Sequence, residues 1–105
     1  MSSLHTGYAL ALSAMTRTHV GRVVAAAFPH SRRPVVVDCG LDIDERGGMR
    51  ATARLRVDNH DGSWFAVTFA REGWTVVLSD RMGKPILTDC GDNLAAIVRG
   101  MAVAA

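Results

Sequence analysis

The sequence predicts an α+β fold: a two-layer sandwich in which an antiparallel meander of four or five strands carries an N-terminal and a C-terminal helix on one face. Three observations lead there. Apolar residues recur at three- and four-residue steps near both ends of the chain. Between those ends the apolar period drops to two. Short Gly-, Asp-, Asn- and Pro-containing pieces separate the period-two runs. With 105 residues the chain is read as a single domain, 1–105. A chain of this size buries roughly 65% of its unfolded surface, enough for one core without staples.

The first helix is expected from about Ser3 to Phe28. Leu4, Tyr8, Leu12, Met15, His19, Val23 and Ala27 form one stripe, interrupted by His19, which is expected to be partly buried and hydrogen-bonded. Ser2 or Ser3 suits the N-cap, and Pro29 ends the helix. Thr16, Thr18 and Gly21 weaken its middle, where a kink or split is expected. In the first strand Val35, Val37, Cys39, Leu41 and Ile43 alternate with Val36, Asp38, Gly40, Asp42 and Asp44. In the second, Met49, Ala51, Ala53, Leu55 and Val57 alternate with Arg50, Thr52, Arg54 and Arg56. Phe65, Val67 and Phe69 define the third strand, and Trp74, Val76 and Leu78 the fourth. A short piece at Ile86–Thr88 is a candidate fifth. Glu72-Gly73 reads as a two-residue hairpin loop. The last helix, about Asn93 to Val103, presents Leu94, Ile97, Val98 and Met101 behind an Asp92 N-cap. Because one sheet face is apolar and both helices are amphipathic, both helices should cover that face.

Composition narrows the function classes. Hydrophobic residues make up 49% and charged residues 21%, which excludes a disordered chain. Net charge is +2, which is no polycation. The bases are 11 Arg and 1 Lys beside 15 Ala, the bias of a GC-rich coding sequence such as that of a high-GC bacterium or phage. No run approaches the ~20 apolar residues that span a bilayer, and no basic segment precedes the first apolar run as in a signal peptide. A cytoplasmic protein without membrane contact is expected.

Catalytic and metal signatures are weak. Two cysteines, Cys39 and Cys90, are too few for a disulfide scaffold and lie in no C-x-x-C. Cys39 reads as a small core residue. Cys90 is placed between the last strand and the last helix, where a helix N-terminus lowers a thiol pKa, but no base accompanies it. A zinc site from Cys39, Cys90 and a His would need distant residues to converge. Asp42, Asp44 and Glu45 precede Gly47, yet Arg46 and Ala53 stand where a calcium loop needs acceptors. Gly47-Gly48 leads into a strand and not a helix, so it is no phosphate cradle. No enzyme, no cofactor, no bound metal and no Cys39–Cys90 disulfide are expected.

Two surfaces remain. Arg50, Arg54 and Arg56 share a face with Trp64, an arrangement that can hold nucleic acid. Apolar pairing across the first hairpin sets Ile43 opposite Met49 or Ala51. Either register brings acids against these bases and neutralises the row; the first puts Asp42 opposite Arg50 and Asp38 opposite Arg54. Residues 1–33 hold Arg17, Arg22, Arg32 and Arg33 and no acid. The second surface is the outward side of the third and fourth strands: Trp64, Ala66, Thr68, Ala70, Thr75 and Val77 carry no charge, and no segment is left to cover them. The first expectation is therefore a small protein-binding domain acting through this uncharged face (Trp64, Ala66, Thr68, Thr75, Val77) or a strand edge, with a second copy of itself as one partner in a homodimer. The alternative is a nucleic-acid-binding accessory protein using Arg17, Arg22, Arg32, Arg33, Arg54 and Arg56.

Overall fold

The computed structural model describes residues 3–104, with side chains from Ala14 onward. In chain order the elements are α1 (Ser3–Ala27), β1 (Val35–Ile43), β2 (Met49–Asp58), β3 (Trp64–Ala70), β4 (Gly73–Ser79), β5 (Pro85–Gly91) and α2 (Leu94–Ala104). The sheet has five strands in the order β1-β2-β3-β4-β5, every pair antiparallel. This is the α+β meander with a helix at each end, and the fifth strand is longer than the sequence piece that hinted at it.

One face of the sheet forms the core with the helices. Leu55, Val57, Phe65, Val67, Val76 and Leu78 point into it from β2, β3 and β4. Val20 and Val24 meet them from α1, and Leu94, Ile97, Val98 and Met101 from α2. The α2 face matches the sequence pattern residue for residue, but its N-cap is Asn93, whose Oδ1 accepts from the Ala96 amide at 3.1 Å. Asp92 lies one position too early.

The α1 stripe departs from expectation. Val20 and Val24 are fully buried, Val23 and Ala27 partly, whereas Met15 and His19 are exposed. The Ala-rich helix offers two adjacent stripes, and the sheet takes the one that carries Val20 and Val24 and avoids His19. His19 instead lies against Trp74, ring centroids 5.9 Å apart. The helix is continuous through Thr16–Gly21, and Thr18 Oγ1 donates to the Ala14 carbonyl at 3.2 Å. The expected Ser2 or Ser3 cap and the side chains of Leu4, Tyr8 and Leu12 lie outside the described residues.

Strand β1 carries a second departure. Asp42 pairs with Arg50, Asp38 with Arg54 and Ile43 with Met49, the first of the two expected registers. Between Val36 and Asp38 the register slips at a bulge. One extra residue reverses the faces beyond it. Val36 therefore turns inward, and Val35 and Val37 are exposed, the reverse of the simple alternation.

Three hairpins share one turn. Asp44, Asn59 and Asp80 each start a five-residue loop closed by two backbone bonds, from their own amide to the carbonyl four residues on and from the glycine amide three residues on back to their carbonyl. Gly47, Gly62 and Gly83 occupy that third position with φ between 78° and 91°, which L side chains disfavour. Asp44 and Asp80 reinforce the loop through carboxylates that accept from two backbone amides each. The β3–β4 hairpin is different. Ala70 pairs with Gly73, so the two-residue loop is Arg71-Glu72, one residue before the pair expected.

Candidate functional site

The outward face of the sheet is the side no helix covers. Cross-strand rows run Arg54–Thr68–Thr75–Cys90 and Arg56–Ala66–Val77–Thr88. Trp64 stands beside them, opposite Asp58 and Ser79. The structure thus brings Trp64, Ala66, Thr68, Thr75 and Val77 together, all half-buried by their neighbours. Trp64 is not bare. The Arg56 guanidinium lies 4.2 Å from its ring centroid and is held there by Asp58, Nε to Oδ1 2.8 Å.

The acids and bases pair less simply than the register suggests. Asp42 faces Arg50 on the ladder, yet its ion pair is with Arg71 at 3.3 Å. Arg50 reaches the Arg71 carbonyl at 3.2 Å instead. Arg54, opposite Asp38, has no ion pair among the described residues.

The six arginines of the nucleic-acid reading separate into two groups. Arg54 and Arg56 are on the outward sheet face. Arg17, Arg22, Arg32 and Arg33 line a single cleft of about 470 Å³ on the helix side. No continuous basic surface joins the groups through the sheet.

A second cleft, about 390 Å³, opens at the end of α1 and is lined by Phe28, His30, Asn59, His60, Asp61 and Ser63 among others. Ser, His and Asp together invite comparison with a nucleophile site, but the hydrogen bonds run otherwise. Ser63 Oγ donates to Asp61 Oδ1 at 2.6 Å and accepts from Asn59 Nδ2 at 3.1 Å. Both its donor and acceptor roles serve the β2–β3 turn, and its proton is directed at a carboxylate and not at an imidazole. The side-chain and then the backbone hydrogen bond from Ser63 hold the exposed Asp61 carboxyl below its ordinary value. His30 and His60 stack edge to face, 5.0 Å between centroids.

Cys39 pairs with Ala53 on the inward face of β1, and Cys90 pairs with Thr75 on the outward face of β5. Cys90 is therefore in a strand and exposed, not at the α2 N-terminus. Four strand spacings, about 19 Å, separate the two edges. That distance rules out a bond between the two thiols or a shared metal within one chain. Among the described residues no three His, Cys, Asp or Glu side chains form a cation site, and no helix is long and apolar enough to cross a membrane.

Sequence reasoning missed the β1 edge. Simple alternation puts Val35, Val37 and Ile43 inward with Cys39 and Leu41, yet they are 60%, 60% and 57% exposed, and Met49 across the hairpin is 47% exposed. These are among the largest exposed apolar side chains of the described chain, and they are spread along one open strand, Val35 on the outward side at its start and Ile43 on the inward side at its end. The only local signal was the run Val35-Val36-Val37, in which alternation cannot tell which face is which.

Comparison with protein families finds no match for this chain, and neither curated proteins nor solved structures give one.

Proposed function

We propose that this chain is a small non-enzymatic interaction domain that binds protein by pairing a strand onto the open β1 edge, with a second copy of itself as the partner. The edge carries this reading. Sheet margins are ordinarily blunted by charged side chains (lysine above all), proline, bulges or a covering segment, and β1 has of these only Asp38, Asp42 and the bulge near its start. Strand β1 has nine residues, no lysine and no proline, and three exposed branched apolar side chains. The opposite edge, β5, opens with Pro85. The bulge at Val37 leaves Asp38–Ile43 as the regular stretch for pairing. Backbone hydrogen bonds there would supply affinity, and Val35, Val37 and Ile43 the apolar contact. Two copies related by a twofold axis would form one continuous sheet of ten strands.

Face-to-face packing through Trp64, Ala66, Thr68, Thr75 and Val77 is the competing geometry. It is disfavoured by the Arg56–Asp58 pair that overlies Trp64, because burying an ion pair costs desolvation. A cytoplasmic location fits two unbridged cysteines, one of them exposed.

Light scattering at tens of micromolar tests the reading. The expected mass is twice 11.3 kDa. Burying the exposed half of Ile43 in both copies contributes roughly 2 kcal/mol, about thirtyfold in Kd. Ile43→Lys should therefore yield monomer, and Trp64→Glu should leave the dimer intact. A monomeric wild type refutes self-pairing. A dimer that Trp64→Glu dissociates and Ile43→Lys does not moves the interface to the sheet face.

A further inference from the structure

The 470 Å³ cleft lies between α1 and the segment that leads into β1. Its floor is a close approach. A Cβ on Gly21 would stand 3.2 Å from Pro34 Cδ, so the two elements meet where the helix has no side chain. The segment is fixed from behind, since Pro34 is buried and the Arg32 amide donates to the Asp58 carbonyl at 2.8 Å. The arginines flank this contact, Arg17 and Arg22 from the helix and Arg32 and Arg33 from the segment.

What sets these four apart is that they line one cleft with no acid beside them; Arg46, Arg54 and Arg99 also lack an ion pair among the described residues, but singly. Elsewhere, Arg50, Arg56, Arg71 and Arg81 each reach a carboxylate or a backbone carbonyl. Arg17, Arg22, Arg32 and Arg33 have no ion pair and no side-chain hydrogen bond among the described residues. The chain before Asp38 contains no Asp or Glu at all. No acid lines the cleft either. Four like charges gathered around one concavity repel one another, and an anion seated there would reverse the sign of that interaction. The guanidinium fork matches phosphate oxygens two at a time.

The geometry points to a binding site for a compact oligophosphate group, a diphosphate or triphosphate either free or carried by a nucleotide. This goes beyond the strand-pairing role and does not depend on it. The volume is that of a small-ligand site. Among the described residues no aromatic side chain lines the cleft, so these residues offer a base no stacking platform and recognise the phosphates. A nucleic-acid strand would need a basic track with aromatic steps. Here Arg54 and Arg56 are on the other side of the sheet, and Arg56 is committed to Asp58 and Trp64.

Calorimetric titration of the full chain at low salt tests the site, with tripolyphosphate, ATP, orthophosphate and an oligonucleotide lacking terminal phosphates as probes. Tripolyphosphate and ATP should bind one per chain, within a few-fold of each other, and orthophosphate at least about tenfold more weakly. Arg17→Ala and Arg32→Ala should each weaken tripolyphosphate by about tenfold, the loss of one charge-assisted contact. All four side chains are exposed, so these variants should keep the wild-type circular dichroism. Arg32→Lys keeps the charge without the fork and should fall between wild type and Arg32→Ala. Arg54→Ala should change nothing. Absence of tripolyphosphate binding overturns the proposal. So does tighter binding of the oligonucleotide, which would mark a nucleic-acid surface, or an equal loss in Arg54→Ala, which would mark unspecific charge attraction.

Discussion

Adjacent residues on opposite faces of β3 should differ several-fold in what they contribute to stability. Phe65 is fully buried, paired with Val57 and Leu78 on the ladders, and its ring meets Phe28 edge to face at 4.9 Å. Phe65→Ala loses the transfer free energy of the ring and leaves a cavity, about 3–5 kcal/mol. The aromatic pair places the value in the upper half of that range. A domain of this length is stable by about 5–15 kcal/mol, so the variant should be marginal. At about 4–8 °C per kcal/mol the melting temperature should fall by ~16–40 °C. Trp64 is only half-buried and loses chiefly its contact with Arg56, about 0.5–1 kcal/mol. Trp64→Ala should lower melting by less than ~10 °C. Thermal and urea unfolding followed by circular dichroism would read both. Equal losses, or a larger loss at Trp64, would refute the assignment of faces.

Other outcomes follow from single contacts. Ser63→Ala should raise the Asp61 pKa toward its ordinary 3.8, read by NMR titration of the carboxyl. In the wild type the lowered value means that the stabilisation by the Asp61 carboxylate is fully present above pH ~4 and is lost as pH falls through the folded value. Asn93→Ala removes the α2 cap and should cost about 1 kcal/mol in urea unfolding, whereas Asp92→Ala should cost less. Deleting Val37 removes the extra residue of the bulge and keeps Val36 inward and Asp38 outward, so the chain should still fold cooperatively. Deleting Gly40 instead would reverse every contact on one side of the deletion, and its unfolding transition should broaden or vanish.

The strands were legible because their apolar period is strict where one face is buried. Val57, Phe65, Val67, Val76 and Leu78 all point where alternation puts them. Apolar pairing across the first hairpin even held the correct register as one of two choices. Errors arose where the sequence is degenerate. Val35-Val36-Val37 has no polar residue to mark a face, so the bulge was invisible. The Ala-rich α1 offers neighbouring stripes, and only the sheet selects between them. The repeated Asp/Asn-x-x-Gly turn was present in the text of the chain at Asp44, Asn59 and Asp80 but is recognised only once the loop length is known. The arginine cleft was half legible. An acid-free stretch carrying four arginines is visible in sequence, but their convergence depends on Pro34 seating against Gly21, a contact between segments that no local pattern encodes.

Backbone hydrogen exchange at two protein concentrations tests the strand-pairing account most directly. Strand β1 is bonded to β2 on one side only, so its outward amides should exchange fast in dilute solution. On concentration, slowing should appear at 38–43 and nowhere on β3 or β4, and Ile43→Lys should abolish it. Doubling of the mass with unchanged exchange along β1 would contradict the account.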